Sequence, residues 1–205
     1  MEIRALLLCG GASRRFGSNK LLAPIPGEEE GGPIVARAAV NLREGAGGTP
    51  LALVPLGANG LREALESVGC EVVESDRTER GMGASLAAAV AASDRADGWI
   101  VALGDMPLVA PPTIRALGDL LAEGALLAAP VARANGTRGH PVAFSAALRS
   151  ELLALDGDVG ARGIVERHRN ELRILPTDDP GITIDLDTPA QLAALAARLQ
   201  RSDRS

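Results

Sequence analysis

Short apolar runs alternate along this chain with longer segments in which apolar residues recur every three or four positions. Ile3–Leu8 is a continuous apolar run broken only at Arg4, and it reads as a buried strand. Positions 51–54 and Gly98–Leu103 give the same signal, and Glu71–Glu74 reads as another strand. Between them lie helical patterns: 33–44, with Ile34, Val35, Ala38 and Leu42 on one face; 61–68; a segment through Leu86, Ala89 and Val90; and 112–123. Pro33 suits the first turn of its helix, and the glycines at 45–48 end it. This β-α-β-α-β order predicts an α/β fold, a mostly parallel sheet flanked by helices with right-handed crossovers.

The second half changes character. A strand over 126–131 meets Asn135-Gly136, a strong hairpin turn, so the return strand at 139–144 should pair antiparallel as a small excursion. A helix over 145–155 follows, then a second one opened by 156–162, where Asp158 can act as an N-terminal cap. Short strands at 172–175 and 182–184 lead to a last helix. Thr188 caps it, Pro189 takes its first position, Gln191 completes a capping box, and Leu192, Leu195, Ala196 and Leu199 form its buried stripe. The tail at 201–205 should fray. No repeat and no long linker divides the chain, so residues 1–205 read as one domain, with a first half over about 1–125 and a second half over about 126–205.

Composition narrows the partners. Hydrophobic residues make up 46% of the chain, yet aromatic residues only 1%, so the core must be built from Leu, Val, Ile and Ala. Few aromatics and a net charge of −5 argue against nucleic acid as a partner. Two cysteines fit a reducing compartment better than a disulfide framework. Glu2 and Arg4 interrupt any leader-like run, and no apolar stretch approaches the ~20 residues that span a bilayer. A cytoplasmic protein with no membrane partner is expected.

The chemistry gathers after the first strand. The chain breaks at Gly10-Gly11 and continues through Ser13, Arg14, Arg15, Gly17 and Lys20. Glycines let backbone N–H groups approach a ligand closely, and cationic side chains suit phosphate oxygens, so the loop describes a polyphosphate cradle. It is not a P-loop, because Ser18-Asn19 separates Gly17 from Lys20 and Pro24 opposes an opening helix. Nor does it have the Gly-x-Gly-x-x-Gly spacing of dinucleotide sites. Further on, Asp105 follows directly on the strand ending at Leu103, where ligands of open α/β sheets bind, and its carboxylate is placed to hold Mg²⁺ beside a triphosphate. A glycine turn at 80–86 opens a helix whose N-terminus can hold an anion or a polar ligand edge.

The loop Gly10-Gly11-Ala12-Ser13-Arg14-Arg15-Phe16-Gly17-Ser18-Asn19-Lys20 closely resembles the signature of Rossmann-like nucleotidyltransferases. The molybdenum cofactor cytidylyl- and guanylyltransferases are its nearest group. The resemblance extends to Gly81-Met82-Gly83-Ala84-Ser85-Leu86, Gly104-Asp105-Met106-Pro107, Gly139-His140-Pro141, Gly157-Asp158-Val159-Gly160-Ala161-Arg162 and Asp185-Leu186-Asp187-Thr188-Pro189. It implies Mg²⁺-dependent transfer of a nucleotidyl group from a nucleoside triphosphate to the phosphate of a molybdopterin-type acceptor, with release of pyrophosphate. Lys20 and Arg15 would hold the triphosphate. Cys9, Gly10, Gly11, Ala12, Ser13, Gly17, Gly83 and Ser85 would complete the nucleotide site. Asp105 would anchor Mg²⁺ together with a carboxylate of the Asp185-Leu186-Asp187 pair, Asp187 first. His140 and Arg162 would face the acceptor, and a client molybdoenzyme or its chaperone would be a further partner.

Two features of the loop bear on the base. Gly10-Gly11 resembles the guanylyl form, whereas the segments at 81–86, 157–162 and 185–189 resemble the cytidylyl form, so CTP is favoured over GTP. Cys9 departs from the usual residue in both groups. Two other functions fit the same loop: a transferase acting on a sugar- or alcohol-phosphate, and a non-catalytic nucleotide-binding regulator. Lys20 and Asp105 standing together argue against the second.

Overall fold

The computed structural model of the chain describes residues 1–10, 19–25, 32–93, 95–186, 188 and 191–192. Its seven strands are β1 (Ile3–Leu8), β2 (Leu51–Pro55), β3 (Glu71–Ser75), β4 (Gly98–Leu103), β5 (Leu127–Ala132), β6 (Val142–Ser145) and β7 (Leu172–Thr177). They form one sheet in the order β3-β2-β1-β4-β6-β5-β7. Every pairing is parallel except those of β6, which runs antiparallel between β4 and β5. The expected excursion is thus one reversed strand built into the sheet. Its turn closes with Ala132 N–H donating to the Thr137 carbonyl at 2.9 Å and Gly136 N–H to the Ala132 carbonyl at 2.8 Å, with Gly136 at φ 71°.

Helices cover both faces, which is why β4 reads as an unbroken apolar run and β1 as one interrupted only at Arg4. One side of the sheet, with Ala5, Leu7, Ala52, Ile100 and Ala102, packs on α1 (Ile34–Ala46), α2 (Asn59–Ser67) and α4 (Pro111–Ala122). The other, with Leu6, Leu8, Leu53, Trp99 and Val101, packs on α3 (Met82–Ala91), α5 (Arg149–Leu153) and α6 (Arg162–Arg167). Successive β1 residues therefore serve opposite layers, each fully buried leucine contributing roughly 1.5–3 kcal/mol. Trp99 and Phe144 are cross-strand partners buried in the second layer, and the indole N–H is satisfied by Ser93 Oγ at 2.9 Å.

Four local expectations are corrected. Residues 182–184 do not form a strand. Asp179 accepts the Gly181 N–H at 2.8 Å, and Pro180–Thr183 winds into a 3-10 turn. The helix expected over 145–155 is a 3-10 turn at Ala146–Leu148 followed by the short α5, because Ser145 Oγ captures the Ala147 N–H at 3.3 Å. Asp158 does not cap α6, whose N-cap is Ala161 without a side-chain bond. The return strand also begins later than expected, at Val142. Gly139 N–H is spent on the Pro130 carbonyl and His140 N–H on the Ile182 carbonyl, both at 2.9 Å. Of the capping box, the Gln191 N–H bond to Thr188 Oγ1 forms at 3.2 Å and Gln191 Oε1 accepts the Thr188 hydroxyl at 2.9 Å, while Pro189, Leu195, Ala196, Leu199 and the tail lie outside the described residues.

Candidate active site

Parallel pairing brings the carboxyl ends of β1 and β4 together: Leu8 is in register with Leu103, and Gly104 N–H donates to the Leu8 carbonyl at 3.0 Å. The loops leaving these two central strands therefore start side by side, and the chemistry-bearing residues collect there. Lys20 reaches the site from a 3-10 turn over Lys20–Leu22. Asn19 Oδ1 caps this turn by accepting the Leu21 N–H at 3.1 Å, and the buried Leu21 side chain anchors it in the α1–α2 layer. From there Lys20 Nζ donates to Asp105 Oδ2 at 2.8 Å, with the two side chains 15% and 23% exposed. Two residues 85 positions apart thus meet as an ion pair at the sheet's carboxyl edge.

A second convergence comes from the C-terminal side. Asp179 Oδ2 accepts the Ala110 N–H at 2.9 Å and the Thr113 hydroxyl at 2.8 Å. Ala110, the N-cap of α4, has no capping side chain of its own, so Asp179 caps that helix from across the fold. The segment continues past His140, whose N–H it accepts at Ile182, and then Leu186 N–H donates to the Asp105 carbonyl at 3.0 Å. One strap over 179–186 therefore holds the start of α4, His140 and Asp105 in succession. Asp185 is exposed beside that last bond.

The α3 end is built differently from the sequence reading. Gly83 N–H donates to the Gly157 carbonyl at 2.9 Å, and a Cβ at Gly83 would fall 2.6 Å from the Val159 carbonyl oxygen. A Cβ at Gly81 (φ 113°) would fall 2.3 Å from Asp158 Oδ1. These glycines are required because the 156–160 loop lies directly on the helix N-terminus, where the Asp158 carboxylate meets the positive end of the helix dipole. Arg80 pairs with Asp156 at the rim of the same contact. Ser85 is buried, donates its hydroxyl to the Gly81 carbonyl at 2.8 Å, and stands behind Gly10, whose added Cβ would lie 3.2 Å from Ser85 Oγ. Ser85 and Thr78 thus form the floor beneath Gly10, whereas Gly83 is covered by the 156–160 loop.

Cys9 donates its backbone N–H to the Leu53 carbonyl at 3.0 Å and turns its thiol into the core, where burial raises the thiol pKa far above its usual range. His140 is half-buried. Burial lowers its pKa below 6.5, against the pull of Asp105 and with the push of Arg138. Arg162 is exposed at the first position of α6. Gly11, Ala12, Ser13, Arg15, Gly17 and Asp187 lie outside the described residues. Sequence reasoning missed Asn19 and Asp179. The signal for Asp179 was the helix beginning Ala110-Pro111-Pro112 with no polar cap, which requires one from elsewhere.

A divalent metal fits the donor set. Asp105 Oδ2 is engaged by Lys20, and among the described residues no bond is made to Oδ1. No cluster of three or more His, Cys, Asp or Glu side chains forms a cage among the described residues. One strand-end carboxylate with an open oxygen suits a divalent cation that keeps waters and takes substrate phosphates rather than an all-protein shell.

A parallel sheet with one reversed strand, and a lysine–carboxylate pair where β1 and β4 end, define a nucleotidyltransferase. The chain belongs to the family described as the MobA-like NTP transferase domain, whose model matches residues 5–172. It is similar to nicotine blue oxidoreductase of Paenarthrobacter nicotinovorans, 28% identical over 203 residues covering 94% of this chain and 96% of that protein. Purine catabolism protein PucB of Bacillus subtilis (strain 168) is 27% identical over 200 residues, covering 91% and 92%. Among solved structures, Rv0371c from Mycobacterium tuberculosis H37Rv superposes with a TM-score of 0.82 at 29% identity, covering 96% of this chain and 98% of that one. A complex of Rv0371c with manganese superposes at 0.77 and 26%, covering 96% and 99%. Among the described residues no helix is long and apolar enough to cross a membrane.

Proposed function

We propose that this nucleotidyltransferase uses Mg²⁺ to transfer CMP, in preference to GMP, from the nucleoside triphosphate to the terminal phosphate of a molybdopterin-type acceptor. An acceptor phosphate oxygen attacks the α-phosphorus, the bond to the bridging oxygen breaks, and pyrophosphate leaves with that oxygen and its electron pair. The nucleophile is already an anion, so the protein has no proton to remove. Its work is to position the reactants and neutralise charge. Lys20 and Arg15 bind the triphosphate, and Cys9, Gly10, Gly11, Ala12, Ser13, Gly17, Gly83 and Ser85 complete the nucleotide site. Asp105 and Asp187 hold the metal, which when bound screens the charge of the phosphates. His140 and Arg162 face the acceptor.

The observation that supports this reading is the Lys20–Asp105 ion pair at the carboxyl edge, 2.8 Å from Nζ to Oδ2, a cation of the kind that suits phosphate beside a carboxylate of the kind that suits a metal. The test is to incubate the protein with Mg²⁺, molybdenum cofactor and each nucleoside triphosphate in turn, measuring pyrophosphate. Acceptor-dependent release, greatest with CTP, is expected. Release with sugar- or alcohol-phosphates and none with molybdenum cofactor would assign the transferase to those acceptors instead.

A further inference from the structure

His140 is the one histidine near the site, and its ring is held in an unusual setting. Its backbone is pinned on the strap by the bond to the Ile182 carbonyl. Nδ1 is buried and has no hydrogen-bond partner, whereas the half-buried ring leaves Nε2 as the nitrogen on the open side. The ring borders a cavity of about 10 Å³ walled by Ala38, Leu42, Met106, Val109 and Ile114, with Asn41 the polar neighbour. Asn41 already donates its amide to the Pro107 carbonyl at 2.9 Å.

We propose that His140 is a neutral hydrogen-bond donor through Nε2–H, aimed at an oxygen of the acceptor substrate, and is neither a metal ligand nor a proton acceptor. The proposal rests on the transferase reading above, which puts an anionic acceptor on this side. A neutral imidazole carries one proton, and the surroundings of Nδ1 decide where it sits. A buried N–H without an acceptor forfeits its full hydration, whereas an unpartnered lone pair costs less, so the proton belongs on Nε2. The cavity is at the lower limit for one water.

This tautomer excludes metal ligation. A ligating imidazole binds through a lone pair and almost always donates its other N–H to an acceptor. Here Nε2 would have to give up its proton, and Nδ1–H would find no acceptor in the apolar wall. It also suits the chemistry: a neutral donor orients a phosphate or carbonyl oxygen without transferring a proton to the attacking anion. Burial supports this by lowering the ring's pKa below 6.5, which favours the neutral form.

The chain has only two histidines, so ¹⁵N-labelled protein and its His168→Gln variant assign both rings unambiguously. At about pH 7.5 the His140 ring should show the Nε2–H tautomer, with Nδ1 in the unprotonated range. An Nδ1–H tautomer or a doubly protonated ring would overturn the proposal. Mn²⁺ affinity of His140→Ala, measured by metal titration without substrate, should stay within about twofold of wild type. A loss of tenfold or more would make His140 a ligand. In transfer assays His140→Gln, whose amide N–H can take the place of Nε2–H, should keep the acceptor KM within a few-fold, whereas His140→Ala should raise it about tenfold with little change in the nucleotide KM. Equal loss in both variants would overturn the donor role. An absence of transfer to molybdenum cofactor would instead fail the functional reading and leave the tautomer result standing.

Discussion

Leu186 donates its backbone N–H to the carbonyl of Asp105 at 3.0 Å, so the turn bearing the site carboxylate is fixed by main chain while its side chain stays open to Lys20. Scaffold and chemistry are separable at this residue. The strap that makes the bond also holds His140 and caps α4, which couples the C-terminal segment to the centre of the site.

Lys20 is the cationic half of that arrangement. At 15% exposure the ammonium is half-sealed, so removing it leaves a carboxylate facing incoming phosphates without compensation. Lys20→Ala should raise the nucleotide KM and lower kcat/KM by roughly 10²-fold. Lys20→Arg should recover only part of this, because a planar fork does not replace a point charge in a tight turn. Steady-state kinetics over a range of nucleotide concentrations checks it. Wild-type kcat/KM in the alanine variant would remove Lys20 from the site.

Asp179 acts through structure alone. Asp179→Ala removes the cap of α4 and leaves the Thr113 hydroxyl, buried, without its acceptor, which should cost about 1–3 kcal/mol. For a domain of this size that lowers Tm by roughly 3–10 °C. Asp179→Asn, which keeps one acceptor oxygen, should lose less. Thermal unfolding of both variants decides, and equal loss would mean the second oxygen matters as much as the first.

His168 sits between Glu171, 3.0 Å from Nδ1, and Glu151, 2.8 Å from Nε2, and both raise its pKa above 6.5. A raised histidine contributes stability that is fully present below the unfolded value and is lost as pH rises through the folded one. Tm of wild type relative to His168→Gln should therefore be higher at about pH 6 than at about pH 9. His140, with its lowered pKa, has the opposite sign, favouring the fold above 6.5 and weakening it as pH falls, and it cancels in this comparison. A difference independent of pH would show that the pair of glutamates does not hold the charged ring.

Gly10 has ordinary backbone angles, and the Cβ of an alanine would meet Ser85 Oγ at 3.2 Å and Thr78 Cβ at 3.4 Å, a contact small shifts can absorb. Gly10→Ala should fold normally and, by narrowing the start of the loop, strengthen the CTP preference. The ratio of kcat/KM for CTP and GTP in both proteins checks this. A shift toward GTP would mean the loop reads the base in the opposite sense.

Much of this was legible in the sequence because it is local. The runs at Ile3–Leu8, interrupted only at Arg4, and Gly98–Leu103 are apolar since both faces are covered, and this marks them as central strands with Asp105 just past the end of one. Family resemblance named the glycines at 81 and 83 but not their reason. They admit the 156–160 loop, a contact between segments some 75 residues apart that no local pattern announces. Asp158 was misplaced for the same cause: a carboxylate four residues before a helix reads as a cap, yet it is drawn to another helix. Asp179 and the 3-10 turn at Pro180–Thr183 were hidden because apolar residues at 182–184 mimic a strand when a captured N–H at Gly181 is out of view.

Asp105 tests the account most directly. Asp105→Ala removes the carboxylate at the end of β4 but keeps the carbonyl that Leu186 binds, so the fold should survive with Tm nearly unchanged while the catalytic charge is lost. The measurement is kcat for pyrophosphate release with CTP, Mg²⁺ and molybdenum cofactor, alongside a thermal melt of the same preparation. The account expects a folded protein slowed by about 10²–10³-fold. A folded variant that retains half the wild-type rate would contradict it.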